Sequence, residues 1–230
     1  MAVLGNDVFR VDAIVEVDGL SETMDGGDGY DSLLLNTSGG EFDFSATTLL
    51  SIEDLVVIYG GDGNDKLVVQ GLRGQVPAGE PGNSGAQLFG GADKDRLVGA
   101  KSADALDGGT GSDRLSGGGG TDRLTGGAGD DRFIFSKLSD SGRGAKADLI
   151  TDFSSGDLID LSGIDADAGT AGNQAFQKVA AFTGAAAELV LTYDAGGNQT
   201  LLALDVDGDG VSDFELLMTG SHLDATGWAL

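Results

Sequence analysis

Between Gly90 and Ile134 the chain repeats one pattern of polar and apolar positions every nine residues. The five consecutive units read GGADKDRLV, GAKSADALD, GGTGSDRLS, GGGGTDRLT and GGAGDDRFI. Each opens on glycine and carries Asp at its sixth place (Asp95, Asp104, Asp113, Asp122, Asp131). Each also has an apolar residue at its eighth (Leu97, Leu106, Leu115, Leu124, Phe133). A G-G-x-G-x-D-x-U-x period predicts a parallel β-roll. Six residues of each unit turn, and three form a short strand whose middle residue points inward, because side chains alternate along a strand. Two units close one coil, so residues two units apart stack. Asp95, Asp113 and Asp131 then share one edge of the roll, and Asp104 and Asp122 the other.

The pattern extends beyond this block. Gly26-Gly27-Asp28-Gly29-Tyr30-Asp31 and Gly60-Gly61-Asp62-Gly63-Asn64-Asp65 open two further full units, and Gly5-Asn6-Asp7 matches the second half of one. Residues 42–59 are rich in β-branched and aliphatic side chains and predict short strands of the same stack. Residues 1–70 are therefore read as an N-terminal repeat and β-solenoid segment, with Met1 beginning inside the array of a longer protein. Both prolines fall in 71–89, which reads as an inserted loop rather than a domain linker because repeat units flank it. The β-roll proper is assigned to 90–135. From 136 to 230 the pattern changes to strand-like runs at Glu188–Tyr193, Thr200–Val206 and Val211–Met218, separated by Gly/Asn/Asp turns, which predict an antiparallel meander. The expected fold is all-β: a parallel β-roll capped by a C-terminal antiparallel β domain.

Composition narrows the chemistry. Net charge is −25, and only seven of the 38 acidic residues are Glu. An excess built from the shorter carboxylate points to turns and metal ligation, and it argues against nucleic acid, whose phosphates require a basic face. There is no Cys, hence no disulfide or thiolate chemistry. With one His, His222, there is no H-E-x-x-H zinc site, and no G-x-S-x-G elbow is present; His222 reads as a surface or turn residue. No apolar run approaches the ~20 residues of a membrane span, and the N-terminus lacks the pattern of a conventional signal peptide.

Stacked coils lie ~4.8 Å apart, where two carboxylates repel by roughly 3 kcal/mol at an effective dielectric near 20. Glycine carbonyls share the same turns. Carboxylates and carbonyls together make an all-oxygen site that suits Ca²⁺ better than Mg²⁺, and the segment is expected to fold only when calcium neutralises it. The units are unequal: Asp93 replaces one glycine, and Ala100 and Ser102 replace two. The Asp104 edge is therefore expected to bind calcium more weakly than the Asp113 and Asp131 edge. Arg96, Arg114 and Arg132 form an outward ladder, read as a solvated face that offsets nearby Asp charge, against a contact strip for an anionic polysaccharide. Asp205-Val206-Asp207-Gly208-Asp209-Gly210 looks like the start of an EF-hand loop, but Leu216 stands where Glu belongs, and the stretch reads as a hairpin turn.

The nonapeptides resemble those of the RTX (repeats-in-toxin) proteins, which bacteria export by type I secretion. From Phe133 onward the chain is similar to the C-terminal domain of serralysin-type secreted metalloproteases. The residues that carry this include Phe133-Ile134-Phe135, Asp148-Leu149-Ile150-Thr151-Asp152-Phe153, Asp157-Leu158-Ile159-Asp160-Leu161-Ser162 and Asp205–Gly210 with Asp213-Phe214-Glu215. The resemblance implies a cap on the roll and an uncleaved secretion signal at the C-terminal end. The ending Gly227-Trp228-Ala229-Leu230 keeps the apolar tail of that family without its acidic residue. The resemblance also implies several Ca²⁺ ions held by Asp side chains and glycine carbonyls. The candidates are Gly26, Gly27, Gly29 and Asp31; Gly60, Gly61, Gly63 and Asp65; Gly90, Gly91 and Asp95; Gly99 and Asp104; Gly108, Gly109, Gly111 and Asp113; Gly117, Gly118, Gly120 and Asp122; and Gly126, Gly127, Gly129 and Asp131.

The expected function is a non-catalytic, calcium-binding C-terminal region of a larger type I-secreted protein, extracellular or at the cell surface. Its expected partners are calcium and, transiently, the exporter, with no nucleic acid and no stable membrane insertion. Self-assembly and polysaccharide contact stay open. So do two other classes, a structural or adhesive module of a surface layer or adhesin, and an accessory module of a secreted protease, lipase or polysaccharide-modifying enzyme.

Overall fold

The computed structural model describes residues 64–69, 85–224 and 228–229 of the 230-residue chain, side chains also at 58–60, and upstream the backbone of short strands between residues 3 and 61. Among these residues there is no α-helix, only 3-10 turns at Leu138–Asp140 and Gly144–Lys146. None of the described helices is long and apolar enough to cross a membrane.

The nine-residue period becomes two parallel sheets around one core. One carries Val56–Gly61, Gln87–Ala92, Ala105–Thr110 and Arg123–Ala128. The other carries Lys66–Val68, Arg96–Val98, Arg114–Ser116 and Arg132–Ile134. Register is direct in both. Ile58, Leu88, Leu106, Leu124 and Ile150 align as one column, and Leu67, Leu97, Leu115, Phe133 and Ile159 as the other. Each of these side chains is at most 1% exposed. The eighth place of the repeat therefore supplies the inside of the roll, one side chain per strand, and dispersion and hydrophobic burial act along two lines.

Strand pairing also joins the two sides of the 71–89 segment. Val57 pairs with Gln87 and Lys66 with Arg96, a separation of 30 residues against 18 within the block. The first of these strands starts at Gln87, ahead of the opening glycine. Upstream, Val8–Val11 pairs with Ser32–Asn36, which pairs with Val56–Gly61, and Glu41–Asp43 pairs with Lys66–Val68.

Downstream, Asp148–Ile150 and Leu158–Asp160 add one rung to each sheet after a longer coil of 26 residues. The antiparallel strands Glu188–Asp194, Gln199–Asp205 and Phe214–Thr219 follow. The last of them pairs in parallel with Asp148–Ile150, and Trp228–Ala229 pairs with Leu158–Asp160. The C-terminal strands thus cover the edges that the last coil would otherwise leave open. Their core is continuous with that of the roll: Phe135 meets Phe214 edge-on at 5.4 Å, and Trp228 stacks on Phe153 at 6.2 Å. The sequence pattern extends the final strand back to Val211, but it begins at Phe214. Asp209 accepts the Val211 N–H and Asp213 accepts the Val206 N–H, which holds the intervening residues as a loop and leaves Val211 53% exposed.

Truncating Leu115, in the middle of its column, to alanine is expected to destabilise the protein by about 2–5 kcal/mol. Arg114→Ala, at the adjoining exposed position, should change stability by less than about 1 kcal/mol. Denaturant unfolding in calcium-containing buffer measures both.

Candidate metal centre

The sixth-place Asp residues do not point into solvent. Asp65, Asp95, Asp104, Asp113, Asp122 and Asp131 are all buried. On one edge, each Asp uses Oδ1 to accept the backbone N–H of the Asp one coil earlier. Asp65 donates to Asp95 (2.8 Å), Asp95 to Asp113 (2.8 Å) and Asp113 to Asp131 (2.9 Å). On the other edge Asp104 donates to Asp122 (2.8 Å). These bonds tie coil to coil at the turns, where the strand ladders have ended.

Both ladders continue past the last nonapeptide. Asp122 donates to Asp148 Oδ1 at 2.7 Å, and Asp131 to Asp157 Oδ1 at 3.0 Å. Asp152 closes the final G-G turn, its two oxygens accepting the N–H groups of Gly126 and Gly127. The ligand pattern read from the repeats omits Asp148 and Asp157. The signal for them is present, since Asp148-Leu149-Ile150 and Asp157-Leu158-Ile159 keep the nine-residue spacing after the opening glycines are lost.

The second carboxylate oxygen is the unusual atom. Oδ2 of Asp95, Asp113, Asp122, Asp131 and Asp148 is buried with no hydrogen-bond donor, an arrangement that costs free energy unless a positive charge meets it. Glycine provides the room. A methyl group on Gly108 would lie 2.5 Å from Asp113 Oδ2 and 2.6 Å from the Gly126 carbonyl of the next coil; Gly90 repeats this with Asp95 Oδ2 (2.4 Å) and the Gly108 carbonyl (2.6 Å). Carboxylate and carbonyl oxygens from adjoining coils therefore converge over the opening glycine. The donor set is oxygen alone, anionic and shielded from water, and it fits a hard divalent cation. Gly109, at the second place, takes φ +96°, and a methyl there would lie 2.2 Å from the Gly91 carbonyl. Gly26, Gly29, Asp31 and Gly63 lie outside the described residues, and Gly27 and Gly61 are described by backbone alone.

Burial sets the electrostatics. It raises the Asp122 carboxyl to about 8 and Asp148 to about 7, and Asp95, Asp104 and Asp131 to about 6. Asp113 is raised by the same cause. Repulsion between successive rungs adds to burial, Asp148 acting on Asp122 and Asp113 on both Asp95 and Asp131.

Other candidates stand apart from this centre. Carboxylate oxygens of Asp205, Asp207 and Asp209 lie within 4.8 Å of one another, but Asp205 already accepts the N–H groups of Gly208 and Gly210, between antiparallel strands rather than helices. Arg96, Arg114 and Arg132 align in register, and Arg132 closes on Asp160 at 2.9 Å. His222 is half-buried in the loop after Thr219, its Nε2 2.7 Å from the Thr219 carbonyl and its ring against Phe153.

A parallel roll with buried Asp ladders on its edges and an antiparallel cap defines a solenoid of the RTX nonapeptide class. The model of the family Peptidase M10 serralysin C terminal matches residues 37–228, and the chain belongs to that family. The family corresponds to the C-terminal, non-catalytic part of serralysin-type proteases. Metallopeptidase AprA of Pseudomonas marginalis is 51% identical over 89 residues, covering 38% of this chain and 17% of that protein. Metalloprotease AprA of Pseudomonas entomophila (strain L48) is 45% identical over 89 residues, 38% of this chain and 18% of that one. The match therefore spans less than a fifth of either relative. The AlgE6R3 subunit of the Azotobacter vinelandii mannuronan C5-epimerase is a similar solved structure, with TM-score 0.46 and 30% identity over 62% of this chain and 76% of that one.

Each raised carboxyl holds its proton more tightly in the folded roll than in the unfolded chain. Their contribution to the metal-free roll is full below about pH 4 and is lost as pH rises through about 6 to 8. In chelator, lowering pH from 8.5 to 5 should therefore recover β structure and increase its resistance to heat. The extra stability that added calcium confers should shrink over the same descent, because protons compete for the same oxygens. Circular dichroism melts across this range measure both effects; a flat profile would contradict them.

Proposed function

We propose that this chain is a non-catalytic, calcium-binding C-terminal region of a larger secreted protein, and that calcium completes its fold. The observation that carries the reading is the row of buried Oδ2 atoms without donors on Asp95, Asp113, Asp122, Asp131 and Asp148. Calcium supplies the charge that the row lacks. The residues that hold it are these aspartates and Asp65, with carbonyls of the repeat glycines around Gly60, Gly90, Gly108, Gly117 and Gly126. The chain's own contribution is the preset geometry: strand columns fix the coil spacing, glycines admit the cation, and each Oδ1 bond orients its carboxylate.

At low calcium the aspartates repel and burial penalises them, so the chain stays extended enough to thread a type I exporter. Outside the cell, calcium folds the roll onto the 136–230 cap. The C-terminal end carries the export signal. The matches to the two AprA proteins favour a secreted metalloprotease as the parent, with this region as its accessory module.

A calcium titration followed by far-ultraviolet circular dichroism and small-angle scattering tests the reading. Chelated protein should be expanded and poor in β structure at pH 8. Compaction should follow with a midpoint on the order of 0.1–1 mM calcium, as in extracellular modules, and equal magnesium should not substitute. The fluorescence of Trp228, the single tryptophan, should shift in parallel as it docks on Phe153. A chelated chain as compact and as rich in β signal as the calcium form would refute the proposal.

A further inference from the structure

We infer that the turn at residues 99–104 is a cation-free rung inside an otherwise cation-dependent ladder; this rests on the calcium reading above and concerns which rungs take part. In the units that open G-G, the second residue has a left-handed φ: 109° at Gly91, 96° at Gly109, 91° at Gly118 and 95° at Gly127. Ala100 occupies this place in its own unit and does not adopt that conformation, which a Cβ disfavours. The Ala100 N–H donates to Asp104 Oδ2 at 2.6 Å, while the Ala86 N–H donates to Asp104 Oδ1 at 2.6 Å. Both oxygens of this buried carboxylate are satisfied by backbone. Oδ2 of Asp95, Asp113, Asp122 and Asp131 has no such donor.

The contrast with Asp93 shows which departure matters. Asp93 also replaces a repeat glycine, at the fourth place, yet it accepts φ 76° and leaves the Asp95 Oδ2 without a donor. A missing glycine does not by itself close a site. A second-place N–H that turns onto the carboxylate does, because it fills the oxygen that the cation would use and brings its own partial positive charge. The rung above Asp104 reinforces the effect. Its aligned residue is Ala86, which offers no carboxylate. Among the described residues this edge of the roll therefore opens with a self-satisfied turn, and cation binding there starts at Asp122.

Native mass spectrometry of the whole chain at saturating calcium, counting bound ions, tests this. Three variants are compared with the parent: Asp113→Asn, Asp104→Asn and the double substitution Ala100→Gly, Ser102→Gly. Asp113→Asn should lose at least one calcium, Asp104→Asn should keep the parent count, and the double variant should gain one. Loss of a calcium in Asp104→Asn, or an unchanged count in the double variant, would overturn the inference. The double variant decides the matter even if Asp104→Asn fails to fold, because it only restores residues that neighbouring units already use. A parent chain that binds no calcium would instead defeat the calcium reading itself, and the inference with it.

Discussion

The structure depends on a carboxylate that is asked to do two things. One oxygen of each ladder Asp accepts the backbone N–H of the previous coil, and this bond joins turns that strand pairing does not reach. Forming it draws the whole carboxylate into the protein, and the second oxygen goes with it. At Asp95 and Asp113 that oxygen finds only glycine and a facing carbonyl. The bond that stacks the coils is therefore the bond that creates the charge problem. On the proposed reading a cation between coils resolves both, which would make folding and metal binding a single equilibrium.

The apolar columns alone are thin. A roll of this kind offers one inward side chain per strand, so its described interior is chiefly two rows of Leu, Ile and Phe, with Val69, Ala86 and Ala100 beside them. Such an interior specifies register well, because a shift by one residue would expose every row. It leaves little margin against stacked like charges. The C-terminal strands add mass where the rows end: Phe214–Thr219 extends one sheet and Trp228–Ala229 the other. On the proposed export route this division is useful, since the roll would respond to calcium while the cap gives it an edge to fold against.

Much of this is legible from residue order. The nine-residue period predicts which side chains face inward, because Leu97, Leu115 and Phe133 recur at one place and a strand has only two faces. The same period separates the aspartates onto two edges. What it does not reveal depends on backbone direction and on coil length. The donation of the Ala100 N–H to Asp104 is invisible in composition, where Ala100 and Asp93 look like equal departures from glycine. Asp148 and Asp157 lie one longer coil away from Asp122 and Asp131, so the stacking distance within the block does not lead to them. Asp152 takes the place of an opening glycine and caps the preceding G-G turn with its side chain, a role that spacing alone does not assign.

The most direct test is anomalous diffraction from crystals grown in calcium. The account predicts peaks beside Oδ2 of Asp95, Asp113 and Asp131 on one edge and of Asp122 and Asp148 on the other, with none beside Asp104. A folded roll with no anomalous density along either edge would contradict the claim that a cation completes the ladder.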